Sequence, residues 1–282
     1  MTAKSPIKYP GGKTYLAPHI VQLMELYPHT SYIEAYCGGC SVLFARDPDY
    51  NWSHQPKNVG CSEIINDLSG DLVNFWEVVA SPLGFYQLRH ALNLLPFAKD
   101  SFDRAVFTLD CEPGNPVSRA VAYFIRNRQS RSGNGKSFIT PVMNRTRRGI
   151  NDHVSAYLSA IDGLPEAHAR LRTVLVEHQP AVDLISKHMA NPNVLIYLDP
   201  PYLHSTRATK DLYEWEMTQD DHERLLDTIL KATCGVLLSG YRNDLYDAKL
   251  STWTRKDITT KKHMSGSKKK ADATESLWYN YG

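Results

Sequence analysis

The sequence predicts an α/β protein: a parallel sheet covered by helices and interrupted once by a long insertion of different character. Three observations lead there. Short apolar strand runs alternate with helix-spaced apolar residues near the N-terminus. That alternation stops across residues 81 to 118, where Pro82, Pro96, Pro113 and Pro116 fall and strand runs are few. It resumes near residue 193 with a continuous apolar strand, the kind that a parallel sheet buries on both faces.

In chain order, residues 31 to 44 read as a buried strand (Tyr32, Ile33), a glycine turn (Gly38, Gly39) and a helix start (Val42, Leu43, Phe44). Residues 58 to 65 form a second strand. Leu72, Val73, Phe75, Trp76 and Val79 then recur at helical spacing. After the interruption, residues 193 to 198 make the apolar strand that ends at Asp199. A helix over residues 222 to 230, a strand over 235 to 239 and an apolar run over 277 to 281 complete the sheet. The expected organisation is one α/β domain of residues 1–95 and 172–282, with residues 96–171 inserted as a mainly helical domain. No internal repeat or low-complexity tract stands out.

With 282 residues, 42% hydrophobic and 22% charged, the chain can bury a full core. The N-terminal residues carry no apolar segment behind their lysines, and no stretch of about 18 apolar residues occurs, so neither secretion nor membrane spanning is expected. Five cysteines, at 37, 40, 61, 111 and 234, make no even disulfide framework and suit a reducing cytoplasm. Cys37 and Cys40 have C-x-x-C spacing, but no second pair follows at zinc-site distance, so no metal is expected.

Net charge is +2, distributed unevenly: residues 119 to 148 hold eight Lys/Arg and no Asp/Glu, which leaves the rest of the chain at −6. Within this segment Arg126, Arg128, Arg131, Lys136, Asn144, Arg145, Arg147 and Arg148 combine cations suited to phosphates with amides and guanidinium groups suited to base edges. The competing reading is a patch that pairs with acidic residues elsewhere in the chain. A second basic stretch, residues 261 to 270, reads as either a loop closing over nucleic acid or a solvated loop.

Four motifs carry chemistry. Asp199-Pro200-Pro201-Tyr202 follows the apolar strand directly, and average composition yields such a tetrapeptide at about one position in 10⁵. Ligands of open parallel sheets bind outside the strand C-termini, where this turn lies. A carboxylate and a proline-fixed carbonyl both accept hydrogen bonds from an NH₂ group, and Tyr202 offers a stacking face. The second motif runs from Glu34 through Tyr36 to Gly38, Gly39 and Cys40, a turn where backbone can approach a cofactor closely. The third is Asp67, just past the second strand, placed to accept from ribose hydroxyls or to cap the following helix. The fourth is Lys8-Tyr9-Pro10-Gly11-Gly12-Lys13, a glycine turn between two lysines. Dinucleotide and triphosphate fingerprints are lacking.

In this order the motifs resemble those of Dam-like (D12 class) DNA adenine-N6 methyltransferases in their α arrangement, across nearly the whole chain. The resemblance implies a Rossmann-like S-adenosylmethionine-dependent methyltransferase sheet whose insertion is a target-recognition domain. It implies S-adenosylmethionine contacts from Tyr9, Lys13, Glu34, Tyr36, Gly38, Asp67 and Asp199, with Asp199, Pro200, Pro201 and Tyr202 receiving a flipped adenine in duplex DNA. Tyr36 replaces a usual Phe, and Cys40 stands where a second Gly is usual. A cognate restriction endonuclease is a partner class that the resemblance leaves open. Two alternatives remain at this stage: a methyltransferase acting on RNA adenine or a protein amide, and a catalytically inactive DNA-binding relative.

Overall fold

The computed structural model describes residues 3–57, 59–111, 113–140, 144–203, 216–261 and 272–282. By internal contacts the chain divides into two compact units. The first comprises Met1–Pro18, Cys37–Asp47 and Ile65–His178; the second comprises His19–Tyr36, Pro48–Ile64 and Gln179–Gly282.

In chain order the helices are α1 (Ala17–Met24), α2 (Ser41–Ala45), α3 (Gly70–Ala80), α4 (Pro82–Leu94), α5 (Lys99–Cys111), α6 (Pro116–Arg128), α7 (Asp152–Asp162), α8 (Leu164–Leu171), α9 (Ala181–His188), α10 (Gln219–Ile229) and α11 (Asp244–Lys249). The strands are β1 (Ser31–Glu34), β2 (Ser62–Asn66), β3 (Thr146–Arg147), β4 (Ile150–Asn151), β5 (Val174–Glu177), β6 (Val194–Leu198), β7 (Gly235–Gly240), β8 (Thr254–Lys261) and β9 (Asp272–Tyr279). Seven of them form one sheet in the order β5-β2-β1-β6-β7-β9-β8. This is a doubly wound order with one extra strand, β9, set between its last two members. The expectation of a Rossmann-like methyltransferase sheet holds.

Within the second unit, β1 pairs parallel with β6 and β6 with β7, while β7–β9 and β9–β8 are antiparallel. Every residue of β6 and β7 is buried, which is why both read as unbroken apolar runs rather than as alternation. Against this part of the sheet, α10 lays His222, Leu225, Leu226 and Ile229, a spacing of three and four that forms one apolar helical stripe. Its start is fixed by a capping box in which the Thr218 side chain accepts from the Asp221 N–H and the Asp221 carboxylate accepts from Thr218 N–H. Leu184 and Ile185 of α9 and Tyr246 of α11 join the same core.

The first unit is mostly helical. The α3 helix buries Leu72, Val73, Phe75, Trp76, Val78 and Val79 and packs with α4, α6 and α8. The sequence-derived boundaries at 95/96 and 171/172 both fall inside this unit, in the link between α4 and α5 and at the end of α8. Residues 96–171 hold α5 to α8, one 3-10 turn (Arg131–Gly133) and a two-stranded hairpin, β3–β4.

Several differences from the sequence reading have physical reasons. The second strand starts four residues later than expected, at Ser62, and the last strand starts at Asp272 rather than near 277. The β8 strand, Thr-Arg-Lys-Asp-Ile-Thr-Thr-Lys, lies at the sheet edge, where charged side chains are favoured and the apolar signal is lost. No helix among the described residues is long and apolar enough to cross a membrane.

Candidate active site

Along the seven-stranded sheet the strand order reverses between β1 and β6, since β2 and β5 lie to one side and β7, β9 and β8 to the other. Open α/β sheets bind ligands at such a switch point, beyond the strand C-termini. The β1 strand ends at Glu34, whose register partner on β6 is Tyr197, two residues before Asp199. Glu34 is 2% exposed and its carboxylate accepts a 3.1 Å hydrogen bond from the Tyr32 hydroxyl.

Asp199 is half-buried at the end of β6. Its Oδ1 accepts from the Ser239 hydroxyl at 2.8 Å, and Ser239 Oγ in turn lies 3.0 Å from the Tyr197 hydroxyl. Burial, and then the carboxylates of Asp199, Glu34 and Glu275, hold the Tyr197 phenol well above its ordinary pKa, against a lowering by the Ser239 bond. Pro200 is buried and Pro201 half-buried. Tyr202, 8% exposed, donates from its hydroxyl to Glu275 Oε2 at 3.0 Å and meets the Tyr241 ring edge-on, with centroids 4.7 Å apart. The ring is thereby held from two directions. Tyr36 packs against the second unit's core.

In the first unit, the glycine turn is fixed at Gly38. Its N–H donates to Asp67 Oδ2 at 2.9 Å, and its carbonyl accepts from Trp76 Nε1 at 3.0 Å. Gly38 has φ 45°, and a Cβ there would lie 2.6 Å from the Tyr9 ring, so only glycine fits. Asp67 Oδ1 also accepts from Ser69 N–H, while Ser69 itself is the α3 N-cap. Asp67 is therefore not the cap of α3, the alternative considered for it in the sequence; its carboxylate instead joins the glycine turn to the residue that is the cap. Cys40 caps α2 with φ 52°, a left-handed conformation, which explains why glycine suits this position and why Cys40 is a costly departure. Cys37 and Cys40 are both buried parts of this turn, and no group of three metal-ligating residues occurs among the described residues. Lys13 is 3% exposed and its ammonium donates to the Gly11 carbonyl.

The basic segment divides into two groups. On α6, Arg126 pairs with Asp110 at 3.1 Å and also donates to the Gly135 carbonyl. Arg119 pairs with Asp71 at 2.7 Å. Arg128 donates to the Ala156 carbonyl at 2.7 Å, and burial lowers its pKa to about 10. Arg119 and Arg126 are thus paired with acids within the chain, whereas Arg128 is half-buried against a carbonyl and leaves its Nε without a partner. Asn127, 6% exposed, accepts from Lys8 N–H at 2.8 Å and donates to the Lys8 carbonyl, which pins the N-terminal motif to the end of α6. By contrast Arg131, Lys136, Asn144, Arg145, Arg147 and Arg148 are exposed. The last four belong to the β3–β4 hairpin or its approach. Its two-residue turn, Arg148 at φ 57° and Gly149 at φ 76°, has the positive-φ pair of a type I′ turn. The hairpin is tied to α7, because Asp152 N–H donates to the Arg145 carbonyl and the Asn151 side chain caps the helix. Residues 262–270 of the second basic stretch lie outside the described residues.

Residues 9–265 match the family model for D12 class N6 adenine-specific DNA methyltransferases. The chain belongs to this family. No curated protein matches the chain significantly. As a D12 class enzyme it methylates adenine N6 in DNA.

Sequence reasoning missed Ser239, Glu275, Trp76 and the structural role of Asn127. Ser239 carried a faint signal, a lone hydroxyl ending an otherwise apolar strand. Glu275 carried none, since its proximity to Tyr202 depends on the return of β9 into the sheet. Two outcomes follow for this D12 enzyme. Gly38→Ala is expected to destabilise the protein by about 1–2 kcal/mol from the left-handed backbone alone, and more from the displaced Tyr9; a denaturant midpoint equal to wild type would contradict this. Asn127→Ala leaves two Lys8 backbone groups short of partners and is expected to cost roughly 1–3 kcal/mol, read in the same titration.

Proposed function

We propose that this D12 enzyme transfers a methyl group from S-adenosylmethionine to the N6 amino group of an adenine flipped out of duplex DNA. The observation that carries the reading is the Asp199 turn: a carboxylate oriented at the C-terminal end of a central parallel strand, beside the switch point, followed by two prolines and a clamped tyrosine.

The residues of the first unit fit an adenosine-type cofactor. Gly38 leaves no room for a Cβ, so the turn is as lean as backbone permits, and half-buried Asp67 sets a carboxylate beside it, held by the N–H groups of Gly38 and Ser69. Tyr9, Lys13, Glu34, Tyr36, Gly38 and Asp67 are the proposed cofactor residues, with Asp199 shared between cofactor and substrate. When bound, S-adenosylmethionine supplies a sulfonium methyl whose leaving group is a neutral thioether.

Adenine N6 inside a duplex is out of reach of a protein-bound methyl group, so the base is taken out of the stack. Tyr202, held by Glu275 and Tyr241, offers a preformed face that offsets part of the lost stacking. The N6 lone pair is delocalised into the purine. Hydrogen bonds from its amino group to Asp199 and to the Pro200 carbonyl favour a pyramidal nitrogen and stabilise positive charge as it develops there. Pro200 and Pro201 have fixed φ and no N–H, so the turn presents acceptors without competing donors. Much of the rate then comes from placement. Asp199 needs only to be ionised, since the methylated ammonium product loses its proton readily.

On the DNA side, residues 96–171 are the proposed recognition region, with Arg131, Lys136, Asn144, Arg145, Arg147 and Arg148 as its contact residues. The exposed hairpin places Arg147 and Arg148 at a tip of the width that a groove admits. Arg126 and Arg128 act here through the fold, by holding Asp110, Gly135 and Ala156.

Purified protein with labelled S-adenosylmethionine and mixed-sequence duplex DNA is expected to yield N6-methyladenine on nucleoside digestion; label in RNA or protein alone would defeat the proposal. Asp199→Ala is expected to lower turnover by about 10²–10³-fold or more with an unchanged melting curve. Replacing Arg147 and Arg148 together with Ala is expected to weaken DNA binding and to flatten the log–log salt slope by about 2, a change absent if the hairpin lies off the DNA.

A further inference from the structure

We infer that Ser239 is a positioning residue for the methyl-transfer reaction: its hydroxyl, itself oriented by Tyr197, sets the carboxylate of Asp199 in the plane from which it receives the adenine amino group. The inference rests on the function proposed above and names how the Asp199 site is built.

The β7 strand reads Gly-Val-Leu-Leu-Ser-Gly and is buried throughout, so Ser239 is a hydroxyl at 0% exposure in an otherwise apolar strand. Burying a hydroxyl is unfavourable unless it is fully bonded. Ser239 is supplied with partners by register: Leu238 lies opposite Leu198 in the parallel pair, which brings the next residue of β7 beside the end of β6. Its Oγ then lies 2.8 Å from Asp199 Oδ1, 3.3 Å from the Leu198 carbonyl and 3.0 Å from the Tyr197 hydroxyl.

Hydrogen counting gives the contacts a direction. A serine hydroxyl has one proton, and both Asp199 and the Leu198 carbonyl can only accept it. The shorter contact and the full charge favour Asp199. With that proton committed, the remaining contact requires Tyr197 to donate to Ser239. Tyr197 is suited to this task, because full burial among Glu34, Glu275 and Asp199 keeps its phenol protonated. The result is a one-way chain, Tyr197 to Ser239 to Asp199. It fixes the torsion of the carboxylate without using up its capacity, since each oxygen accepts more than one bond. A carboxylate turned about its side-chain torsions presents a misdirected acceptor and forfeits orientation at the reacting nitrogen.

The test compares wild type, Ser239→Ala, Ser239→Cys, Tyr197→Phe and the Ser239→Ala/Tyr197→Phe double variant on a duplex oligonucleotide carrying mapped target adenines. For Ser239→Ala we expect kcat to fall about 10- to 100-fold, the loss of one hydrogen bond to a charged group, with KM for S-adenosylmethionine and for DNA within twofold. Tyr197→Phe should cost less, and in the Ser239→Ala background it should cost nothing further, because it acts only through Ser239. Contacting residues also couple through packing, so the loss is read as a fall in kcat at unchanged KM and unchanged melting temperature, which a role confined to packing would not produce. Ser239→Cys, of similar shape and a poorer donor, should fall between wild type and Ala, and it carries the test should the Ala variant fail to melt cooperatively. Wild-type kcat in Ser239→Ala, or in Ser239→Cys where that variant carries the test, would overturn the role of Ser239, as would multiplicative losses in the double variant. Absence of methyl transfer by wild type is a separate outcome and overturns the proposed function itself.

Discussion

Much of the first unit depends on one constraint, the capture of both backbone groups of Gly38. A single peptide position receives the Asp67 carboxylate on its N–H and the Trp76 indole on its carbonyl, while Tyr9 occupies the space in which any side chain would sit. Three segments distant in sequence are therefore fixed by one residue without a Cβ. Asn127 extends the same logic by taking both backbone groups of Lys8, the residue before Tyr9. The N-terminal motif is thus held at one end by α6 and at the other by the glycine turn. Burial and the nearby Arg128 lower the Lys8 pKa, the electrostatic cost of running this segment past the basic end of α6.

The second unit solves a different problem, how to hold a carboxylate at the end of an apolar strand. Three buried or half-buried acids, Glu34, Asp199 and Glu275, lie around the Tyr197 hydroxyl, and each accepts from a hydroxyl: Glu34 from Tyr32, Asp199 from Ser239, Glu275 from Tyr202. Buried carboxylates need such donors or they take up a proton instead.

The parts legible in the sequence were those governed by local rules. The β6 and β7 strands were readable because burial on both faces makes a continuous apolar run, and the α3 and α10 helices because one buried face repeats at three and four residues. The Asp199 turn was readable because four unusual letters coincide with a strand end. What was hidden was non-local. The β8 strand is an edge strand with polar letters. Ser239 and Glu275 join the site only through the pairing of β6 with β7 and of β7 with β9. Asn127, an uncharged residue within a basic run, meets its partner 119 residues away.

The basic segment shows why composition alone overstates a surface. A run of eight cations without an acid in sequence still meets acids in space, because α6 packs beside α5 and α3, which supply Asp110 and Asp71. On the helix Arg119 and Arg126 are thereby paired, while Arg128 is half-buried against the Ala156 carbonyl, and all three become part of the frame. The half beyond the helix is carried out on a hairpin whose turn forces Arg148 into a left-handed conformation. A non-glycine residue there is unfavourable by about 1–2 kcal/mol, so the turn spends stability to place a guanidinium at the tip, where asparagine or glycine would close the hairpin with less strain. That strained, charged and exposed tip is the physical argument behind the proposal that the hairpin, rather than α6, meets the DNA.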